Sequence, residues 1–299
     1  MIQRLCVIGV GLIGGSIAKA ARSRGLCREI VGVDSDPQNL TRALELGVIN
    51  EGFDSTSPAN YSQSTEGADW VIIAAPPAAS LQTFLDLRKR WSQDTIYTDV
   101  GSIKQKVVDA VERVFGEVPA NFVPGHPIAG AERSGVEAAS KDLFQQKRVI
   151  LTPVASTSIK AVQAVDEFWT SLGAVVSLME PLHHDQVFAA TSHLPHVLAY
   201  ALVHMLGRKD EQEEFFQYAG AGFRDFTRIA SSNPEMWRDI CLLNGEQIIP
   251  LLSGMGDELK NMSDLIKNNS TESANNLLLY FAEARNARQR FLNQLENNR

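Results

Sequence analysis

The chain has 299 residues, of which 44% are hydrophobic and 21% are charged, and its formal net charge is -7. This length allows two domains that each bury a core, and the composition is that of an ordered globular protein. The negative net charge provides no basic surface for the phosphates of a nucleic acid, so we expect no DNA or RNA partner.

Cysteine content and the N-terminal residues indicate the cell compartment. The three cysteines lack the spacing of a zinc site or a disulfide framework, which favours a reducing compartment. The N-terminus lacks the basic segment and cleavage site of a secretory signal, and no segment has the ~20 apolar residues of a membrane span. We therefore expect a cytoplasmic protein with no membrane partner.

Short β-branched runs alternate with helix-compatible stretches through the first 180 residues, which predicts a parallel sheet with crossover helices. Seven runs are predicted strands: residues 5–10, 30–34, 70–75, 95–100, 122–124, 149–152 and 175–179.

After Pro181 the β-branched runs give way to long helix-compatible segments, such as residues 186–206 and 274–295. We therefore predict an α/β domain at residues 1–180 and an all-helical domain at residues 181–299. Segment 186–206 is mostly apolar, so we expect neighbours to bury it on several sides. A helical domain beside a ligand cleft is suited to dimerisation, and we predict a homodimer.

Gly9, Gly11 and Gly14 form the pattern G-x-G-x-x-G directly after the first predicted strand, where a helix-like stretch begins with Leu12 and Ile13. The first glycine allows a tight turn, and the second lets the backbone approach a pyrophosphate. The third lets helix and strand pack closely. The pattern predicts a dinucleotide site with these five residues at its phosphate end.

Asp34 supports this site and indicates which cofactor binds there. It ends the second predicted strand, twenty residues after Gly14, where a carboxylate can accept hydrogen bonds from a ribose 2′-hydroxyl. An aspartate also repels a 2′-phosphate, so we expect NAD rather than NADP. Small residues at Ala75 and Pro76 would let a dinucleotide lie over the third strand. A glycine-rich turn without a ligand is the alternative; we predict a Rossmann-type NAD-binding domain.

Two loops after later strands carry candidates for the chemistry. His126 follows the fifth predicted strand, and a neutral imidazole is suited to accept a hydroxyl proton as hydride leaves the same carbon. Ser102 follows the fourth strand and is either a site residue or the N-cap of the next helix.

The helical part offers histidines that could line a pocket or bind a metal. His193 and His196 share a helical face and could bind zinc together with His183, His184 or Asp185. Hydride transfer to NAD needs no metal and no clear ligand set converges, so we expect pocket lining and no metal.

An arginine in an apolar helical region is a candidate carboxylate clamp, because its planar guanidinium can donate two parallel hydrogen bonds. Arg224 and Arg228 are both candidates, and one of them could instead pair with Asp225 at the surface. By itself, Trp237 indicates a core or interface aromatic, and Glu132 a solvated acid.

Five ordered motifs, GVGLIGGS, TDVGSIK, GHPIAGAERSG, SHLPH and GFRDFTRIASSNPEMW, resemble those of the prephenate/arogenate dehydrogenases of tyrosine biosynthesis. The resemblance runs from Ile8 to about Trp237 and thus covers most of the chain. It implies NAD-dependent oxidative decarboxylation of prephenate to 4-hydroxyphenylpyruvate, of arogenate to tyrosine, or of both. CO2 and NADH would be released.

The resemblance also implies roles for individual residues. His126 would take the proton of the C4 hydroxyl, and Ser102 would orient His126 and that hydroxyl. His196 would line the substrate pocket with His193 beside it. Arg228 would bind the carboxylate.

Further residues would gate or close the pocket. The resemblance places Asp225 and Glu132 in an ionic network with Arg228 and makes Trp237 an aromatic wall. The chain ends at Arg299 without a fused chorismate mutase segment or regulatory ACT domain, so inhibition by L-tyrosine would be competition at the active site.

Two other functions fit parts of the sequence. A β-hydroxyacid dehydrogenase also joins a G-x-G-x-x-G domain to a helical one, but a catalytic lysine is expected there, where these motifs supply histidine and arginine. A catalytically silent NAD-binding sensor is the other. Replacing His126 distinguishes an enzyme from a sensor.

Overall fold

The computed structural model describes residues 1–131 and 133–297 of the chain. The fold divides into two compact units, Met1–Gln247 and a second that begins at Ile248. Within these described residues, no helix is both long enough and apolar enough to cross a membrane.

Six parallel strands form the main sheet of the first unit. They are β1 (Ile2–Ile8), β2 (Cys27–Asp34), β3 (Glu51–Asp54), β4 (Trp70–Ile73), β5 (Ile96–Asp99) and β6 (Phe122–Val123). Their order in the sheet is β3-β2-β1-β4-β5-β6. The order reverses between β1 and β4, and open sheets of this kind bind ligands outside the carboxyl ends of their strands at that point.

Helices cover both faces of this sheet. They are α1 (Leu12–Ser23), α2 (Pro37–Glu45), α3 (Pro58–Ser64), α4 (Ser80–Arg88) and α5 (Gln105–Phe115). Alternate residues of β1 enter different apolar clusters: Leu5 and Val7 belong to one, Cys6 and Ile8 to the other. Since side chains alternate across a strand, β1 is buried on both faces, as a central parallel strand must be. The predicted α/β sheet domain is confirmed.

The prediction of one parallel sheet was wrong for the later strands. A second sheet contains β7 (Gly125–Pro127), β8 (Arg148–Leu151) and β9 (Val175–Leu178), with α6 (Ile159–Ser171) before its last strand. Strand β7 is antiparallel to β8, which is parallel to β9. Pro124 separates β6 from β7; it has no N–H for the main sheet, and its carbonyl accepts from Thr152 N at 2.8 Å.

The chain beyond β9 is helical, as predicted. It contains α7 (Pro181–Phe188), a π-helical turn (Ala189–His193), α8 (Leu194–Leu206), α9 (Gln212–Gln217), α10 (Ala221–Thr227), a 3-10 turn (Arg228–Ser231), α11 (Pro234–Leu243), α12 (Gly245–Asn268) and α13 (Thr271–Asn297).

Segment 186–206 differs from its prediction in two ways. The π-helical turn interrupts it just before Pro195, which has no N–H for a regular helix. Within α8 only Ala199 is buried, and Met205 is 54% exposed. The expectation that neighbours bury this segment on several sides was therefore wrong for a single chain.

Candidate active site

A cleft of about 710 Å³ in the first unit is lined by most of the predicted catalytic and substrate-binding residues. The loop after β5, strand β7, and the helices around α8 and α11 form its walls. Among its lining residues are Ser102, His126, His193, His196, Arg228 and Trp237. Leu12 and Ile13, at the start of α1, line the same cleft, so the glycine-rich turn lies near these groups.

A chain of hydrogen bonds fixes the proton positions on His126. The Asp185 carboxylate accepts from the backbone N–H groups of Lys104 and Gln105 at 2.8 and 2.9 Å, and from Nδ1 of His184 at 2.8 Å. Nε2 of His184 lies 2.9 Å from Nδ1 of His126. Since a carboxylate only accepts, a neutral His184 carries its proton on Nδ1 and accepts from His126. His126 therefore carries its proton on Nδ1, which leaves a lone pair on Nε2.

The imidazoles of His126 and His184 both favour the neutral form. Burial, and then the charges of His184 and Lys104, hold the pKa of His126 well below 6.5. Burial also lowers the pKa of His184, although its hydrogen bond to Asp185 opposes that shift. At neutral pH His126 is thus an unprotonated group able to accept a proton.

A buried ion pair joins the strand of His126 to the loop of Ser102. Nζ of Lys104 donates to the Asp99 carboxylate and, at 2.7 Å, to the carbonyl of Gly125. Asp99 accepts in turn from the backbone N–H of Gly125 at 3.1 Å. Both charges are almost fully buried, so removing one would leave the other unpaired at a cost of about 3–5 kcal/mol. The pair holds Gly125, and thus His126, against the end of β5.

The glycine-rich turn has the shape that a bound dinucleotide requires. Gly9 has φ +91°, and a Cβ there would lie 2.6 Å from the carbonyl carbon of Ala74. A Cβ on Gly14 would lie 2.0 Å from the carbonyl oxygen of Gly9. At Gly11 nothing lies within 4 Å, so the space in front of the turn is open. Gly9 and Gly14 are needed for packing, and Gly11 leaves room for a phosphate group.

Asp34 lies at the carboxyl end of β2 and is held in place there. One carboxylate oxygen accepts from the Val10 N–H and the Asn39 amide, both at 2.9 Å. The other accepts from the N–H of Asp36 at 3.0 Å. Ala75 and Pro76 follow β4, the strand next to β1 at the reversal of strand order. Both segments thus lie at the edge where such sheets bind dinucleotides.

Comparison with known proteins identifies the family. The model for the prephenate dehydrogenase nucleotide-binding domain matches residues 17–178, and the model for the prephenate dehydrogenase dimerization domain matches residues 180–283. The chain belongs to the prephenate dehydrogenase family. It is therefore an oxidoreductase with an NAD-binding domain, as its motifs predicted.

Full-length relatives agree with this assignment. A prephenate dehydrogenase of Bacillus subtilis is 37% identical over 292 residues, which cover 96% of this chain and 76% of the relative. A cyclohexadienyl dehydrogenase of Zymomonas mobilis is 32% identical and covers 96% of each. A prephenate dehydrogenase from A. aeolicus, crystallised with hydroxyphenyl propionate and NAD+, is 38% identical. Its TM-score is 0.87, over 97% of this chain and 99% of that chain.

In this member of the prephenate dehydrogenase family, Ser102 is not an N-cap. Helix α5 begins at Gln105, and the Asp185 carboxylate binds its first N–H groups from another helix. Ser102 instead lies two residues before Lys104 and lines the cleft. The N-cap alternative from the sequence was therefore wrong.

His196 and Trp237 form one wall of the cleft. Their rings stack with centroids 3.8 Å apart, and His193 meets Trp237 edge-on at 6.0 Å. Nδ1 of His196 lies 2.8 Å from the carbonyl of Ser192, which can only accept, so that nitrogen carries the proton. Burial lowers the pKa of His196, and the charge of Arg228 lowers it further.

Of the predicted ionic network, the structure describes Arg228 and Asp225 but not Glu132. Arg228 begins the 3-10 turn after α10, is exposed, and lines the cleft. Asp225 is exposed in α10 and is not a cleft residue. Glu132 lies outside the described residues. The network around Arg228 therefore stays a prediction.

The residues that position His126 were not predicted from the sequence. Asp99 and Lys104 flank Ser102 in TDVGSIK, and charged residues beside a candidate site were an available signal. His184 and Asp185 were predicted to line a pocket rather than bind a metal, whereas the structure places them in hydrogen bonds to His126 and α5. Within residues 1–131 and 133–297, no group of three or more potential ligands could hold a metal ion.

Proposed function

We propose that the protein oxidises prephenate, arogenate or both with NAD+ and releases CO2, as a step of L-tyrosine biosynthesis. The observation that carries the proposal is the bare Nε2 of His126 in a cleft shared with the Arg228 guanidinium. This arrangement supplies a proton acceptor and a carboxylate-binding group for a small hydroxylated acid.

His126 acts as the general base. As hydride leaves C4 of the ring, Nε2 takes the proton of the C4 hydroxyl, and the hydroxyl carbon becomes a carbonyl carbon. The C1 carboxylate then leaves as CO2, and its bonding electrons enter the ring, which becomes a phenol after protonation. Asp185 and His184 keep His126 in the tautomer that this step requires and stabilise the imidazolium that forms.

The other cleft residues bind and orient the substrate. Arg228 binds a carboxylate through its guanidinium, and Ser102 places the C4 hydroxyl against His126. The stacked His196 and Trp237, with His193 beside them, form the wall against which the ring lies. Asp225 and Glu132 gate the cleft through Arg228.

The glycine-rich turn and Asp34 bind the cofactor. Gly9, Gly11 and Gly14, with Leu12 and Ile13 at the start of α1, would hold the pyrophosphate. Asp34 would accept from the adenine ribose, while Ala75 and Pro76 leave space over β4. The bound nicotinamide supplies the hydride acceptor.

Replacement of Gly11 should weaken cofactor binding, whereas replacement of Gly14 should weaken folding. We expect Gly11→Ala to keep the wild-type melting temperature and to raise the Kd for NAD+ by about 5- to 150-fold, because its methyl enters open space needed by the ligand. Gly14→Ala should lower the melting temperature, because its Cβ meets the Gly9 backbone. Thermal unfolding and NAD+ titration check both; an unchanged NAD+ affinity in Gly11→Ala would contradict this role.

The activity assay tests the function directly. Purified protein is given prephenate or arogenate with NAD+ or NADP+, and reduced nicotinamide and CO2 are followed together. We expect equal amounts of NADH and CO2 from at least one substrate, and much weaker reaction with NADP+ because of Asp34. If neither substrate reduces NAD+ while NAD+ still binds, the protein is a sensor and not a dehydrogenase.

The pH profile should reflect the lowered pKa of His126. Because its neutral form is the base, kcat/KM should stay constant from about pH 8 to about pH 6.5 and fall only as the pH passes below the lowered pKa. The measurement is kcat/KM across this range at constant ionic strength. Half-loss of activity above about pH 6.5 would show that His126 is not held neutral.

The assembly and the cell compartment of the protein are part of this proposal. We propose a cytoplasmic homodimer, with residues 1–180 as the NAD-binding domain and residues 181–299 as the helical domain for substrate and dimerisation. The matched dimerization-domain model and the incompletely buried apolar side chains of α8, with Met205 exposed, support the dimer.

L-tyrosine should compete with the substrate, since it shares the 4-hydroxyphenyl group and a carboxylate with the aromatic product. We propose that it occupies the cleft at His126 and Arg228. Tyrosine would then raise the apparent KM for the substrate and leave kcat unchanged. A decrease in kcat at constant KM would place tyrosine elsewhere.

A further inference from the structure

A buried asparagine connects two parts of the site that the mechanism treats separately. Asn244 follows α11 and is 3% exposed. Its Nδ2 donates to the backbone carbonyl of Asp185 at 2.9 Å and lies 3.1 Å from Nδ1 of His193. The same amide group therefore contacts both the segment that orients His126 and a histidine of the cleft.

These contacts determine where His193 carries its proton. A backbone carbonyl only accepts, so the NH2 end of the Asn244 amide must face Asp185. That NH2 group also faces Nδ1 of His193 and can only donate, so Nδ1 must accept. Burial lowers the pKa of His193 to about 4, so the ring is neutral at neutral pH. His193 then carries its single proton on Nε2.

This tautomer is opposite to that of the other cleft histidines. His126 and His196 carry their protons on Nδ1 and present a lone pair at Nε2. His193 lines the cleft. Four buried side-chain polar atoms of the described residues lack a hydrogen-bond partner, and Nε2 of His193 is not one of them. Among the cleft histidines in the described residues, His193 is thus the one that offers a donor at Nε2.

We propose that Asn244 is a positioning residue that holds His193 as a neutral donor to an acceptor oxygen of the substrate. The inference rests on the proposed function, because it assigns the donated bond to a carboxylate or carbonyl oxygen of that substrate. A neutral donor has a physical advantage here. An imidazolium at His193 would oppose the positive charge that His126 gains when it takes the hydroxyl proton.

Nuclear magnetic resonance of 15N-histidine-labelled protein measures the tautomer without any activity. Long-range 1H–15N correlations distinguish a protonated from a bare ring nitrogen, and the His193→Gln variant identifies the His193 signals by their loss. We expect Nε2–H at His193 and Nδ1–H at His126 and His196. A wild-type His193 protonated at Nδ1 would overturn the proposal.

Asn244→Asp tests the functional part. A carboxylate accepts only, so it would draw a proton onto Nδ1 of His193 and favour either the opposite tautomer or the imidazolium. We expect the NMR signals of His193 to change accordingly. The substrate KM should rise about tenfold, with a smaller change in kcat and an unchanged Kd for NAD+.

Asn121→Asp is the matched control for a buried new carboxylate. Asn121 is also buried and donates to two backbone carbonyls, those of Ser92 and Thr95, outside the cleft. It should lose stability but keep the His193 signals and the substrate KM. If Asn244→Asp does not fold, Asn244→Ala should leave His193 as a mixture of tautomers with a raised KM.

The outcomes separate this inference from the proposed function. A His193 signal that changes in Asn244→Asp while KM matches Asn121→Asp would overturn the positioning role. If wild-type protein oxidises neither substrate, the proposed function fails. Binding of hydroxyphenyl propionate, compared between wild type and Asn244→Asp, then tests the donor: a loss of affinity supports it, and equal affinity overturns it.

Discussion

Replacement of His126 by asparagine is expected to lower kcat by at least two to three orders of magnitude while the Kd for NAD+ stays unchanged. Asparagine has no basic nitrogen to take the hydroxyl proton, and general-base catalysis contributes about 10²- to 10⁴-fold to such reactions. The glycine-rich turn and Asp34 do not contact this side chain through any described hydrogen bond, so cofactor binding should persist. Steady-state kinetics and NAD+ titration measure the two effects.

His183→Asn is the matched control, since His183 is an exposed histidine beside His184 on α7. Its kcat should equal that of the wild type. A His126→Asn enzyme that retains more than about a tenth of wild-type kcat would show that another group takes the proton. Loss of NAD+ binding would instead indicate damage to the fold and would call for a second variant, His126→Gln.

Replacement of Arg228 by alanine is expected to raise KM for the substrate, with a loss of about 2–4 kcal/mol in kcat/KM, or about 30- to 900-fold. The guanidinium binds a substrate carboxylate in both the ground state and the transition state, so the change should appear in KM more than in kcat. Arg228→Lys should recover only part of the loss, because an ammonium keeps the charge but not the two parallel hydrogen bonds.

Arg224, in the helix that directly precedes Arg228, provides the control. It is exposed in α10 and does not line the cleft, so Arg224→Ala should leave KM near the wild-type value. Equal KM values in wild type and Arg228→Ala would refute the clamp. Equal increases in the two variants would show that the effect comes from the net charge of the region and not from a contact.

The cofactor end of the site was predictable because its signals are local. G-x-G-x-x-G and the aspartate twenty residues later occur within one β-α-β unit, and each residue has a separate steric or hydrogen-bonding reason to be there. The structure adds that Gly9 and Gly14 are required by packing and that Gly11 faces open space. A Cβ position cannot be obtained from sequence spacing alone.

The groups that set proton positions were not predictable, because they come from distant segments. His126 and His184 are 58 residues apart, and His193 and Asn244 are 51 apart. Their tautomers follow from which atoms only accept or only donate, and that depends on tertiary contacts. The antiparallel pairing of β7 was missed for a similar reason, since Pro124 marks an interruption but not the direction of the next strand.

A ternary crystal structure with NAD+ and hydroxyphenyl propionate tests the central claim most directly. We expect the ligand hydroxyl within about 2.6–3.2 Å of His126 Nε2, its ring carbon facing the nicotinamide, and its carboxylate bound by Arg228. A complex in which His126 Nε2 points away from the bound hydroxyl, with the carboxylate remote from Arg228, would contradict the mechanism even with NAD+ in place.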